Sequence, residues 1–342
     1  PYPDEDLKFL ADYAKKKGVF LIGHHESGGN IPSYEEQMEE AFSLCEHLGI
    51  PAVKTGYAGK IHPEGMHHHG QWMVRHYQKV VEVAARHHIM IDAHEPIKDT
   101  GISRTWPNFL SREGARGMEY NAWSDGNPPE HTLILPFTRF LSGPMDYTPG
   151  IFNLKFEDNG KHRVYTTLAK QLAYYVTLYS PFQMAADLIE NYENQPAFKF
   201  IEDVPVNWDE TRVLKAKIGD YLTVARRKGQ NWYVGSITDE KARHWKISLK
   251  FLKQGQTYKA LIFTDALNTD WVNNPTTIEI GAYRVTADDS LCVMLSPSGG
   301  QAVEMLAAQP EDVRDLKPIS TFNQAQKKKI KPFDAVPVYR KN

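Results

Sequence analysis

Cysteine is almost missing from this chain. Cys45 and Cys292 are the only two in 342 residues, and they stand too far apart to form a metal or redox motif, so they read as two buried thiols. No apolar run reaches the ~20 residues that a membrane-spanning helix requires. An excess of one charge is missing too. Lys and Arg number 40 against 42 Asp and Glu, for a formal net charge of -2, which argues against both a nucleic-acid footprint and an acidic tail. Neither Met nor a signal peptide opens "PYPDEDLKFL". The segment enters a helix at once and reads as the continuation of something longer.

What is present is aromatic: 11% of the residues, with seven Trp and seventeen Tyr, enough for a large core or for surfaces that stack sugars. The length suits two domains, or one large barrel with an appendage. Up to about residue 205, short apolar runs alternate with helical periodicity. "DEDLKFLADYAKKKG" predicts an amphipathic helix with Leu7, Leu10 and Ala14 on one face and Gly18 as its stop. Val19–Ile22 reads as a buried strand, and Ser33 with Glu36 forms a capping box for the next helix, which stops at Gly49. "PAVKTGY" and "IMIDAH" read as strands around the helix "QWMVRHYQKVVEVAARHH", "HTLILPF" as a further strand, and "VYTTLAKQLAYYVTLYS" as a helix.

Near-continuously apolar strands, each followed by a helix, predict parallel βα units, and a run of such units predicts a (β/α) barrel. Residues 206–297 then change style. "YLTVARRKGQNWYVGSIT", "HWKISLKFL", "TYKALIFTDA" and "TTIEIGAYRV" alternate as antiparallel strands with no helix between them. Residues 298–342, with "SGG" and "QKKKIKPF", read as a loosely ordered tail.

In barrels of this kind the chemistry sits where strands end. "VFLIGHHES" delivers His24, His25 and Glu26, and "IMIDAHEPI" delivers His94 and Glu95. Glu113 and Glu119 stand in the Gly-rich "REGARGMEYNAW". Four carboxylates at one barrel end would repel one another unless a hard cation joined them, and Ca²⁺ accepts several at once. Paired carboxylates also supply the acid and base of glycosidic cleavage. His67–His69 in "MHHHG" read as loop residues, Lys54 as a rim residue, and Asp146 in "GPMDYTPG" as either a site residue or a turn cap.

"HHES", "VKTGYAG", "DAHEPIKDTGISRTWPN", "REGARGMEYN" and "LPFTRFLSGPMDYTPGIF" resemble glycoside hydrolase family 97, in its inverting, calcium-dependent α-glucosidase branch. The resemblance implies an N-terminal β-sandwich and the first strands of a (β/α)8 TIM-type barrel, both missing here. The later barrel strands and a small C-terminal antiparallel β-sandwich would then make up this chain. By the same resemblance, Glu119 matches the general acid, Glu95 and Glu26 the pair that activates water, and Glu95, Glu113 and Glu119 the Ca²⁺ ligands. His24, Lys54 and His94 match residues around the terminal sugar of an α-glucoside oligosaccharide. Gly56 stands where retaining members carry a nucleophilic Asp, which favours inversion. A periplasmic or secreted parent protein is implied as well. The competing expectations are an α-galactosidase of the same family, an inactive or carbohydrate-binding fragment, and, more remotely, a zinc hydrolase.

Overall fold

The computed structural model describes residues 4–156 and 161–334. It divides into two compact units. The first holds the described residues up to Ala115 together with 142–146 and 180–182; the second holds 116–141, 147–179 and the described residues from 183 onward. The antiparallel strands that follow the change of sequence style near residue 206 all lie in the second unit.

The first unit is built from helix–strand repeats. Helix α1 (Asp4–Lys16) buries Ala11 and Ala14, with Leu7 packed against the core, whereas Leu10 is exposed. Its inward stripe thus runs i, i+4, i+7, one position away from the predicted face. Helix α2 (Ile31–Leu48) is capped by Asn30, whose side chain accepts from the Ser33 amide at 3.3 Å. The cap falls before Ser33 because Pro32, lacking an N–H and held at a helical φ, fits the first turn. Gly49 ends α2 at φ 73, a left-handed cap that glycine adopts without steric cost.

Tyr34, Met38, Phe42, Cys45 and Leu48 recur at helical spacing along α2. Helix α3 (Gln71–Arg86) supplies Met73, Tyr77, Val80, Val81 and Ala84 to the same core. Each large apolar side chain buried here contributes ~1.5–3 kcal/mol. Both helices flank a parallel sheet of β1 (Ile22–Glu26), β2 (Ala52–Gly56), β3 (Met90–Ala93) and β4 (Phe109–Arg112), paired in that order. Among the described residues this sheet is open, so the closed barrel of the resemblance is not formed within them. β1 begins at Ile22, where the predicted strand ends, so His24–Glu26 lie inside the strand.

In the second unit "HTLILPF" is helical, His131–Ile134 followed by the turn Leu135–Phe137. Pro136 cannot donate to a strand ladder but suits a first helical turn. Helix Leu168–Thr177 forms as predicted and is buried along its whole length. The antiparallel strands are β5 (Glu210–Lys217), β6 (Tyr221–Lys228), β7 (Asn231–Thr238), β8 (Arg243–Ser248), β9 (Thr257–Asp265), β10 (Ile278–Val285), β11 (Ser290–Leu295) and β12 (Gly300–Ala308). Six pair in the order β10-β9-β12-β7-β6-β5, and β11 pairs with β8. Trp232, Val234, Ile262, Val293, Val303 and Met305 join in one core.

The predicted loose tail is corrected by β12, which lies between β9 and β7. Helix Ile319–Asp334 follows it and sets Ile319 and Phe322 into the same core. "SGG" is a sign of close packing here: a Cβ on Gly300 would collide with the Lys170 backbone. Residues 335–342 lie outside the described residues. No helix of the described residues is long and apolar enough to cross a membrane.

Candidate active site

Side chains of a strand alternate between two faces, and that alternation sorts the candidate residues. On one face, Val53, Ile91 and Ala93 enter the core beneath the helices. His25 joins them, its ring 5.3 Å from Phe42 and its Nδ1 3.0 Å from the Tyr34 hydroxyl. Burial, and next the charge of His24, pushes the His25 imidazole down to about 4, so it is neutral near pH 7. The opposite face carries His24, Lys54 and Asp92, which are direct partners across β1, β2 and β3. Glu26 and Gly56 pair on the same face.

Two carboxylates converge on the end of β2. Glu26 Oε1 accepts from the Gly28 amide at 2.8 Å and the Ala58 amide at 3.3 Å. Glu95 Oε2 accepts from the Tyr57 amide at 3.0 Å. Both point at Gly56: a Cβ built there would fall on Glu26 Oε2 and lie 3.2 Å from Glu95 Oε2. Gly56 has no left-handed φ, so here glycine makes room for two carboxylates rather than relieving the backbone.

A second, buried cluster stands beside this pair. His94 Nε2 donates to Asp146 Oδ2 at 2.7 Å, and its Nδ1 is 3.7 Å from Glu113 Oε2. Lys54 Nζ is 3.9 Å from Asp146 Oδ2. Asp92 is 1% exposed, and its oxygens have no partner that would suit an ionised carboxylate. Burial, followed by the charge of Asp146, pushes the Asp92 carboxyl well above its ordinary range. Its protonated form is the one that can donate to Asp146. Burial works against ionisation of Asp146 as well, yet the hydrogen bonds from His94 and Asp92 hold its carboxyl below the ordinary value.

Ligand atoms of Asp92, His94 and Asp146 lie within 4.8 Å of one another, close enough to hold an ion. An ion there would have to break the hydrogen bond between His94 and Asp146 and face Lys54, so the cluster is already neutralised by its own members. Glu95 and Glu113 offer only carboxylate oxygens, the donor type of a hard cation, and the Glu95 amide donates to Glu113 Oε2 at 3.4 Å.

The first unit thus brings Glu26, Glu95, Glu113, His94 and Lys54 into one connected set, with His24 exposed in register beside Lys54. Glu119 belongs to the second unit, where it is exposed and immediately precedes the short helix Tyr120–Trp123. Sequence reasoning missed Asp92. Its only signal was an acid at the polar-facing position of an otherwise apolar strand.

Comparison with known proteins agrees with this architecture. The family description "Glycoside hydrolase 97" matches residues 1–115, and "Glycosyl-hydrolase 97 C-terminal, oligomerisation" matches residues 207–306. A glycoside hydrolase family 97 enzyme from Pseudoalteromonas sp. strain K8, solved with panose and with acarbose, is 48% identical with a TM-score of 0.85. The match covers 90% of this chain and 50% of that one. A protein named retaining alpha-galactosidase from Bacteroides thetaiotaomicron is 34% identical over 88% of this chain and 44% of its own length. One named probable retaining alpha-galactosidase from Streptomyces bingchenggensis is 31% identical over 66% of this chain and 33% of its own. The chain spans half or less of the length of each of these relatives. The chain belongs to glycoside hydrolase family 97.

Proposed function

We propose that this chain carries part of the active site of a glycosidase that hydrolyses terminal α-glucosidic bonds with inversion. The observation that carries this reading is the pair of carboxylates, Glu26 and Glu95, gathered over Gly56. In a retaining enzyme one carboxylate attacks the anomeric carbon; in an inverting one it takes a proton from a water that attacks instead. With Glu26 filling the space above Gly56, a nucleophile rooted at position 56 has no room. Glu26 and Glu95, anchored by backbone amides on one oxygen each, are suited to hold that water and accept its proton. Glu119 takes the role of acid, protonating the leaving oxygen, on the strength of the "GMEYN" resemblance.

Lys54 presents an ammonium beside the Asp146 cluster, and Lys54, His94 and His24 are assigned to the hydroxyls of the terminal sugar. Glu95 and Glu113, whose carboxylate oxygens suit a hard cation, are the residues of the first unit that would hold a Ca²⁺, which would supply positive charge to the reaction.

The choice of glucoside rests on the 48% identical relative solved with panose, an α-linked glucose trisaccharide, and with acarbose. A second reading, an α-galactosidase, is favoured by the names of the relatives at 34% and 31% identity. Proton NMR of the first turnovers separates these readings. β-Glucose appearing first from a p-nitrophenyl α-glucoside supports inversion, and α-glucose appearing first overturns it. Faster turnover of the α-galactoside overturns the glucoside assignment while leaving the stereochemical one in place.

A further inference from the structure

Glu95 has φ 43, a left-handed backbone that residues with a Cβ rarely adopt. Pro96 behind it restricts the choice of conformations further. The reversal accompanies a side chain that returns toward β2, where Oε2 meets the Tyr57 amide at 3.0 Å. A strained peptide persists only when its surroundings hold it, and here the hold is on the Glu95 carbonyl. It accepts from the Tyr77 hydroxyl at 2.7 Å and from His68 Nε2. Tyr77 is 3% exposed. A phenol keeps its proton at neutral pH, so the hydroxyl is the donor and the carbonyl the acceptor. His68, bonded to a carbonyl through Nε2, carries its proton on that nitrogen. The "MHHHG" run therefore divides: His67 and His69 are exposed, while His68 is partly buried with its ring nitrogen on the Glu95 peptide.

We propose that His68 and Tyr77 are positioning residues, a two-donor clamp on the Glu95 carbonyl that keeps its carboxylate aimed at Gly56. The proposal rests on reading Glu95 as a base. Neither clamp residue is assigned to the substrate, so loosening the clamp lowers kcat and spares KM.

The test is steady-state kinetics of His68→Ala, His68→Gln, Tyr77→Phe and Glu95→Gln on p-nitrophenyl α-glycoside. His68→Ala and Tyr77→Phe are expected to lose about tenfold or more in kcat, with KM within about twofold of wild type. His68→Gln, whose amide N–H can reach the same carbonyl, recovers most of that loss, and His67→Ala changes nothing. Tyr77→Phe deletes a single hydroxyl, so it reads the effect even if His68→Ala lowers the thermal midpoint. Wild-type kcat in both His68→Ala and Tyr77→Phe, with Glu95→Gln inactive, overturns the clamp and leaves the base assignment standing. Wild-type kcat in Glu95→Gln removes the base assignment itself. A crystal structure of the His68→Ala, Tyr77→Phe double variant with Glu95 still at positive φ and on the Tyr57 amide overturns the clamp whatever the kinetics.

Discussion

The carboxylate of Glu26 occupies the space in which any side chain at Gly56 would begin, with Glu26 Cδ only 3.3 Å from the position of the missing Cβ. Gly56→Ala must therefore push Glu26 away from the Ala58 and Gly28 amides. Because the glycine is not in a left-handed conformation, the fold should tolerate alanine. A loss of about 100-fold in kcat is expected, with an unchanged circular dichroism spectrum. Full activity in Gly56→Ala would remove the pairing of Glu26 with Glu95 from the mechanism.

Glu119→Gln tests the acid. A general acid matters most when the leaving group is a poor one, contributing about 10²–10⁴-fold. Hydrolysis of an oligosaccharide is expected to collapse, while a substrate with an activated leaving group such as dinitrophenol is largely spared. Equal loss on both substrates would reject the assignment.

Asp146 is the one ionised acid that His94, Lys54 and Asp92 share. Asp146→Asn leaves the Lys54 ammonium without its nearest counter-charge and weakens the bond that orients His94. Breaking such a buried pair is expected to cost about 2–4 kcal/mol of stability, readable by urea unfolding, together with a rise in KM.

His25 makes stability depend on acid pH. Its ordinary value is 6.5 and burial takes it to about 4 in the folded chain, so between those values only the unfolded chain binds the proton. Its contribution is complete above pH 6.5, is lost progressively as pH falls toward 4, and changes little below that, with an upper bound of ~3 kcal/mol. His25→Phe, set against Tyr34 and Phe42, should flatten this limb in denaturant titrations between pH 7 and pH 4.

Lys170 is fully buried, and its ammonium donates to the carbonyls of Pro129 at 2.9 Å and Thr238 at 2.8 Å and to Ser298 Oγ at 3.3 Å. Burial pushes its amine down to about 7. Lys170→Met keeps the volume and strands two carbonyls, for an expected loss of about 2–4 kcal/mol seen as a lower thermal midpoint. An unchanged midpoint would mean that water replaces the amine.

The order of elements in the first unit was legible because it is written locally. An apolar run ended by a glycine or a proline announces a strand, and the spacing of Tyr34, Met38 and Phe42 announces a helix. Where a local rule competed with packing, packing won. "SGG" resembles a loose linker, yet it opens β12, because β7 and β9 offer backbone partners on both sides. "HTLILPF" has the composition of a strand, but Pro136 removes a donor that a ladder would need.

The sequence by itself determined that an apolar run leads into His24, His25 and Glu26; that His24 and Glu26 share a face follows from their lying inside β1, which the structure decided. It also determined that His94 and Glu95 follow an apolar strand and that position 56 lacks a side chain. Tertiary structure alone decided that Glu26 and Glu95 meet over that glycine, that Asp146 reaches His94 from 52 residues away, and that burial raises the Asp92 carboxyl. Alternation along a strand is a property of neighbouring bonds. Convergence and protonation depend on which distant segments exclude water from the same place, and that is set only when the chain has packed.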